Sequence, residues 1–385
     1  MNLHLPRVGL DRIRAAKVAC LPVSNEHGAV RSPLSEGGDR GDAVTPCVLA
    51  IDVEPTARRP SRKHPRPWTG YPETVAFASR LRAHVRATTG ADARFFWAFR
   101  MDPQIETVHG STTWALEQYP ELLRRLRDAG DEVGLHTHAW RWSDAHHGWR
   151  ADHADAEWVD HCLRVSFDAY RRFFHVDCRS FRFGDRFLSQ AVVRRIEREG
   201  VHHDLTLEPA EPAAPGIHDH EAHTGELPDT SMVPRLPYRA AADDFRRADP
   251  ARTDGPWFLP LTAARWRPEV ARGERLFRRV ATQLLAPIVT VPPYLQPARV
   301  GQGTVRLWES PRIVRDALEQ ILSGGETPVL AFAIRTDMVL NPLVRRRMWQ
   351  NLSALLARRA GRSIRFCTPA EAISLWNQAR REPAP

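Results

Sequence analysis

Lysine is nearly missing from this sequence. Only Lys17 and Lys63 stand among 55 basic residues, and the arginines are scattered among acids, as in LLRRLRDAGDE and RRIEREG. The net charge of +9 therefore does not describe a phosphate-binding face, and a nucleic-acid partner is set aside. RRPSRKHPRPW (58–68) is the one dense basic run; it reads as a solvated loop or, more sharply, as a contact for an acidic ligand or surface. Also lacking is an uninterrupted apolar window of about 18 residues or more, so no membrane span is expected. The N-terminal MNLHLPRVGLDRIRAAKVACLPVS has scattered charge and no sustained apolar stretch, which gives no secretory signal and a cytoplasmic reading. Cysteines are few and odd in number (Cys20, Cys47, Cys162, Cys178 and Cys367), with no CxxC pair. A disulfide framework and a cysteine zinc site are both excluded in favour of reduced, buried thiols. No internal repeat is present.

What is present is alternation. Residues 1–45 carry no apolar period and read as a flexible leader; residues 46–380 read as a single domain. CVLAIDV is a short apolar run ending in acids, as a buried parallel strand requires. YPETVAFASRLRAHVRATT reads as a helix, ARFFWAF as a strand, WALEQYPELLRRLRDAG as one helix stopped by Gly130, and DEVGLH as a strand. The pattern continues with a long helix in HADAEWVDHCLRVSFDAYRRFF, a strand in CRSFRFG, a helix in LSQAVVRRIEREG and a strand in VHHDLTLEP. From about 209 to 256 it fails in a Pro-rich, polar stretch that reads as an insertion over one face. It resumes with WFLPLTA, SPRIVRDALEQILSGG, PVLAFAIR, NPLVRRRMWQNLSALLARRAG, IRFCT and PAEAISLWNQARR, the last with Thr368 as N-cap and Pro369 in the first turn. Such alternation predicts an α/β fold with a parallel sheet and crossover helices, in a closed barrel rather than an open sheet.

In a parallel α/β barrel the chemistry sits at the C-terminal ends of the strands. Asp52 and Glu54 end the first strand, His136 and His138 the third, Arg182 and Asp185 the fourth, Asp204 the fifth, and Arg335 and Asp337 a late one. Residues two apart on a strand face one side, so Asp52 pairs with Glu54 and His136 with His138. Two carboxylates and two imidazoles converging at a barrel mouth form a candidate divalent-metal site. Taken singly, the acids read equally as a cap or an ion pair, and the histidines as packed and hydrogen-bonded. Trp140, Arg141 and Trp142 read either as rim packing or as a stacking platform for a sugar. Arg100, Asp102 and His109 follow the second strand on the same face. HDHEAH (218–223) reads as an exposed polar loop, a lid or a metal cluster. Of His202 and His203, one should face the core and one away.

AIDVEP, EVGLHTHAW, SFRFGD, GVHHDLTLEP and AFAIRTD occur in the order of the motifs of the polysaccharide deacetylase (NodB-homology) family, carbohydrate esterase family 4, and the chain resembles a divergent member. The similarity is clearest from Cys47 to Glu208 and thinner from about Pro311 to Trp376. The resemblance implies a distorted TIM-like barrel of seven strands and a metal-assisted hydrolysis of N-acetyl groups on sugars. It makes Asp52 the general base. Val53 stands where the family's ligand acid usually follows, so Glu54 becomes the ligand. His136 matches the first histidine ligand; Trp140 occupies the usual four-on position of the second, and His138 takes that part. Arg182 matches the arginine that orients the base by pairing with Asp52, although Phe183 and Gly184 replace the usual proline. Asp204 falls where an acid supports the arginine. Arg335 stands where the family has a proton-donating histidine; a guanidinium keeps its proton, so an oxyanion or a substrate carboxylate is its partner. The leaving nitrogen would be protonated by Asp52 or a histidine such as His109.

The expectation is a metal-dependent hydrolase of amide C–N bonds using a divalent ion, Zn2+, on Glu54, His136 and His138. Its partner is an N-acetylated sugar or other small amide, contacted by Trp140, Arg141, Trp142, Arg100, Asp102, His109, Asp185 and Asp337. Two alternatives stand beside it: a metal-free C–N hydrolase of a small metabolite, and an inactive barrel that binds a sugar or a partner.

Overall fold

A computed structural model of the chain describes residues 43–57, 60, 67–214, 217–218, 221–270, 272–273, 302–324, 328–357 and 362–381. The first strand, β1 (Ala43–Val53), precedes helix α1 (Gly70–Thr89) and strand β2 (Phe96–Arg100). Three short helices follow, α2 (Pro103–His109), α3 (Trp114–Gln118) and α4 (Pro120–Asp128), then β3 (Glu132–Thr137). The hairpin β4 (Trp140–Ser143) and β5 (Gly148–Asp152) leads into α5 (Ala156–Phe174), β6 (Ser180–Phe183), α6 (Gln190–Arg198) and β7 (His203–Asp204). Beyond it lie β8 (Ile217–His218), β9 (Glu221–Thr224), β10 (Tyr238–Arg239), β11 (Trp257–Phe258), β12 (Ala263–Arg265) and β13 (Gln302–Thr304). Helix Pro311–Leu322, β14 (Leu330–Arg335), helix Pro342–Leu356, β15 (Arg362–Phe366) and helix Pro369–Arg381 complete the described chain.

The main sheet runs β10-β11-β7-β6-β3-β2-β1-β14, with β15 beside the first half of β1. Every pair in it is parallel except β10 with β11. The sheet curls into a distorted TIM-like barrel. Past β11, Leu259 N–H still bonds to Asp204 O, whereas Thr262 N–H donates to Ala331 O on β14 at 2.8 Å. That extended segment therefore spans from one end of the curl to the other.

Alternation along the strands builds two cores. Cys47, Leu49, Ile51 and Val53 of β1, and Trp97 and Phe99 of β2, pack outward in a layer shared with the helices. Val48, Ala50, Phe96, Ala98, Leu205, Leu259 and Ala331 point inward, and Ile373 and Trp376 of the last helix close that inner cluster from the other end. Asp52, Arg100, His136, Arg182 and Arg335 continue the inward rows past the apolar residues. In the ladder, Asp52 lies level with Arg335, and His136 level with both Arg100 and Arg182.

Two expected elements differ. WALEQYPELLRRLRDAG forms two helices because Pro120 has no N–H to donate and sterically restricts Tyr119, which turns out of helical geometry at φ −128°. Residues 140–152, left without an element between the strand DEVGLH and the helix that follows, form the β4/β5 hairpin, which carries Trp142 opposite Trp149. Thr368 caps its helix as expected, in a reciprocal pair with Glu371. Four cysteines, Cys47, Cys162, Cys178 and Cys367, are free and buried. No helix among the described residues is long and apolar enough to cross a membrane. Residues 1–42, Cys20 with them, most of the basic run 58–66, and Asp219 and His220 of HDHEAH lie outside the described residues.

Candidate metal centre

Glu54 follows the end of β1, and its backbone is fixed from across the barrel. Thr336 Oγ1 accepts from Glu54 N–H at 3.1 Å and donates to Glu54 O at 3.0 Å. Thr336 is itself pressed against the start of α1, where a β-carbon on Gly70 would stand 2.3 Å from Thr336 O. His136 points inward from β3, and its Nδ1–H donates to Arg182 O at 2.8 Å. Because a carbonyl only accepts, this bond fixes the ring tautomer and leaves the Nε2 lone pair inward. The His138 backbone N–H donates to Asp102 Oδ2 at 3.1 Å, and its Nδ1 lies 2.8 Å from Asp185 Oδ2.

The result is a compact donor set. His138 Nε2 lies 3.0 Å from His136 Nε2 and 3.4 Å from Glu54 Oε2. One ligand atom from each of Glu54, His136 and His138 falls within 4.8 Å of the others, and all three residues are buried. Neither Glu54 oxygen accepts a hydrogen bond, nor does Asp52 Oδ1. Buried carboxylate oxygens and two facing imidazole nitrogens are costly together unless positive charge lies between them. One carboxylate oxygen and two nitrogens also suit a zinc-type ion. By chemistry and by crowding, these residues fit a divalent cation.

Electrostatics agree. Burial pushes the His136 ring down to about 4, which keeps it neutral and able to donate a lone pair. Burial alone would raise the Glu54 carboxyl, but the close His138 ring and the charges of Arg335 and His136 hold it well below the usual range. Burial also opposes charge on His138, yet Asp185 reverses the balance and the ring is raised, so a proton is favoured where a cation would bind.

Around this set stand three arginines. Arg182 donates through Nε to Asp52 Oδ2 at 3.1 Å, and through Nη1 to Leu205 O at 2.6 Å. The second acid beside Arg182 is Glu208, at 3.6 Å. Asp204 instead accepts from the Thr206 N–H and hydroxyl at 2.9 and 2.8 Å, and burial pushes its carboxyl up to about 7. Arg100 is buried, pairs with Asp102 through two nitrogens at 2.8 and 2.9 Å, and stands 3.6 Å from Glu54. Arg335 pairs with Asp337 at 3.1 Å through two nitrogens, stands 3.7 Å from Glu54 and is 34% exposed.

The expected ligand contacts are distributed unevenly. Trp140 is buried, with its indole N–H 2.8 Å from His138 Nδ1 and 3.1 Å from Asp185 Oδ2. It is a wall of the site rather than a face for a sugar. Arg141 pairs with Asp152 and Asp155 and covers the Trp158 ring. Trp142 packs on Trp149 and bonds Asp144. His109 accepts the Trp68 indole N–H at 3.1 Å; burial and the Arg100 charge push its ring down to about 4. Neutral at ordinary pH, it is no reservoir of protons. His203 is buried and His202 exposed. Glu208, Thr336 and Gly184 were not singled out as site residues. Glu208 at least closes the run GVHHDLTLEP, and Thr336 stands between Arg335 and Asp337.

No family model matches this sequence, and no curated protein does. Solved structures do match. A candidate glycoside hydrolase/deacetylase from Parabacteroides distasonis is 14% identical, with a TM-score of 0.50 over 88% of this chain and 72% of that one. A candidate polysaccharide deacetylase from Mycobacterium smegmatis is 10% identical, with a TM-score of 0.48 over 90% and 96% of the two chains. An allantoinase is 8% identical, with a TM-score of 0.42 over 89% and 93%. The likeness is one of fold, a distorted TIM-like barrel.

Proposed function

We propose that this chain is a metal-dependent hydrolase of amide C–N bonds, an N-deacetylase of a sugar or glycan-like substrate, and a divergent polysaccharide deacetylase. The observation that carries the reading is the convergence of Glu54, His136 and His138 around one point, with Asp52 and its arginine beside them. Those three residues would hold a divalent ion, Zn2+ by donor type. When bound, the ion supplies Lewis acidity and a water made acidic near neutral pH.

The protein's own groups do the rest. Asp52 offers Oδ1, free of hydrogen bonds, to take the proton of the attacking water, while Arg182 holds Oδ2 and fixes the carboxylate plane. Arg335, partly exposed on the Glu54 side, lends positive charge to the oxygen of the tetrahedral intermediate. It keeps its own proton. With His109 neutral and engaged to Trp68, Asp52 returns the proton it took to the leaving nitrogen. The single-domain arrangement of residues 46–380 and a cytoplasmic location belong to this proposal. A chain acting there would meet a small or lipid-linked precursor.

A second reading, a barrel that works without a metal or only binds, draws on Arg100 and Arg335. Their guanidiniums stand 3.6 and 3.7 Å from the Glu54 carboxylate and already supply positive charge there. Acetate release from N-acetylated sugars by zinc-loaded protein separates the readings. Turnover that Asp52→Asn abolishes without loss of bound metal supports the hydrolase. Bound metal without turnover would move the proposal to another amide, and neither metal nor turnover would favour the second reading.

A further inference from the structure

We propose that Asp185 is the positioning residue that makes His138 a metal ligand; the inference rests on the metal-dependent reading above. β3 ends at Thr137, so His138 lies beyond the last residue that the sheet ladder holds. Its backbone is tied to Asp102, but its ring needs a separate anchor. Asp185 Oδ2, 2.8 Å from Nδ1, is that anchor. An ionised carboxylate only accepts, so Nδ1 carries the proton and the Nε2 lone pair turns toward His136 Nε2 and Glu54 Oε2. The Trp140 indole N–H lies 2.8 Å from Nδ1 and 3.1 Å from the same carboxylate oxygen; with Nδ1 protonated only the oxygen can accept it, and that bond holds the carboxylate in place.

The backbone is shaped for this contact. Asp185 and Arg186 are consecutive non-glycine residues in the left-handed region, at φ 56° and 60°, a conformation such residues seldom adopt. That turn directs the Asp185 side chain at His138. Gly184 leaves the space, because a β-carbon there would stand 2.1 to 2.4 Å from three atoms of the His138 ring. The Asp185 side chain is 4% exposed, and its Oδ2 is engaged by the ring it bonds. A histidine two residues on along an extended strand thus serves as ligand, with a strained turn from β6 supplying its support.

Two readouts test this in the full-length chain, with zinc and cobalt as probes. Metal affinity by competition with a chromogenic chelator should fall about 10- to 100-fold in Asp185→Ala and about tenfold in Asp185→Asn, which keeps an acceptor without its charge. Nitrogen-15 shifts of His138 in the metal-free protein, at a pH where the ring is neutral, should report an Nδ1–H tautomer in the wild type and in Asp185→Asn, and a shift to Nε2–H in Asp185→Ala. Wild-type affinity and an unchanged tautomer in Asp185→Ala would overturn the proposal. Should that variant not fold, Asp185→Asn decides: weaker metal binding supports the assignment, and binding equal to wild type overturns it. A wild type that takes up neither metal defeats the metal reading instead, while the tautomer still judges the anchoring of His138.

Discussion

Replacing Arg182 with methionine removes a guanidinium that is 7% exposed from a carboxylate, Asp52, that is 3% exposed. Three contacts go at once: Nε to Asp52 at 3.1 Å, Nη1 to Leu205 O at 2.6 Å, and Nη2 near Glu208 at 3.6 Å. Breaking a buried ion pair by deleting one partner costs about 3–5 kcal/mol, because the remaining charge is stranded away from water. For a chain of this size that moves the urea midpoint by on the order of 1 M. Asp52→Asn in the same background should restore part of the loss, since the stranded charge is gone; the coupling energy of the cycle should then reach about 1–3 kcal/mol. Urea titrations of wild type, both single variants and the double variant measure it. A loss under about 1 kcal/mol in Arg182→Met, or strict additivity in the double variant, would refute the idea that this pair is a buried electrostatic unit.

Three further outcomes follow from the same geometry. Gly184→Ala should cost about 1–3 kcal/mol by overpacking and weaken metal uptake, because the new methyl collides with the His138 ring; unchanged metal affinity would show that the ring has another place to go. Thr336→Val should lower stability by about 1–3 kcal/mol, as both backbone groups of buried Glu54 lose their partner, and a neutral result in thermal melts would contradict that. Asp204, pushed up to about 7 by burial from an ordinary 3.8, keeps its proton in the folded chain over a pH range where the unfolded chain has lost it. Stability therefore falls as pH rises from about 4 to about 7, by up to roughly 4 kcal/mol. Asp204→Asn should gain on the wild type across that window, and a pH-independent difference would be the contrary result.

The strands that carry the site were legible because they are apolar runs ending in charge. CVLAIDV, DEVGLH, CRSFRFG and PVLAFAIR became β1, β3, β6 and β14, and in β1 Asp52 continues the two-residue row of Val48 and Ala50. Helix α2 was missed, although Asp102 capping it and Pro103 in its first turn are signals that PQIETVH is too short to reinforce with periodicity. The β4/β5 hairpin was missed because its turn, SDAHHG, reads as loop and each strand is only four or five residues long. The link from Asp185 to His138 was out of reach, since it depends on two non-glycine residues adopting left-handed geometry, which no residue type announces. Glu208 joins Asp204 as an acid acting on Arg182, while the Asp204 oxygens are held by Thr206. That is a local competition for the carboxylate that spacing alone does not reveal.

Diffraction from a crystal soaked with zinc, measured across the zinc absorption edge, addresses the central claim directly. The account predicts an anomalous peak about 2.0–2.2 Å from a Glu54 oxygen, His136 Nε2 and His138 Nε2. A zinc-soaked crystal with these three side chains in place and no peak between them would contradict it.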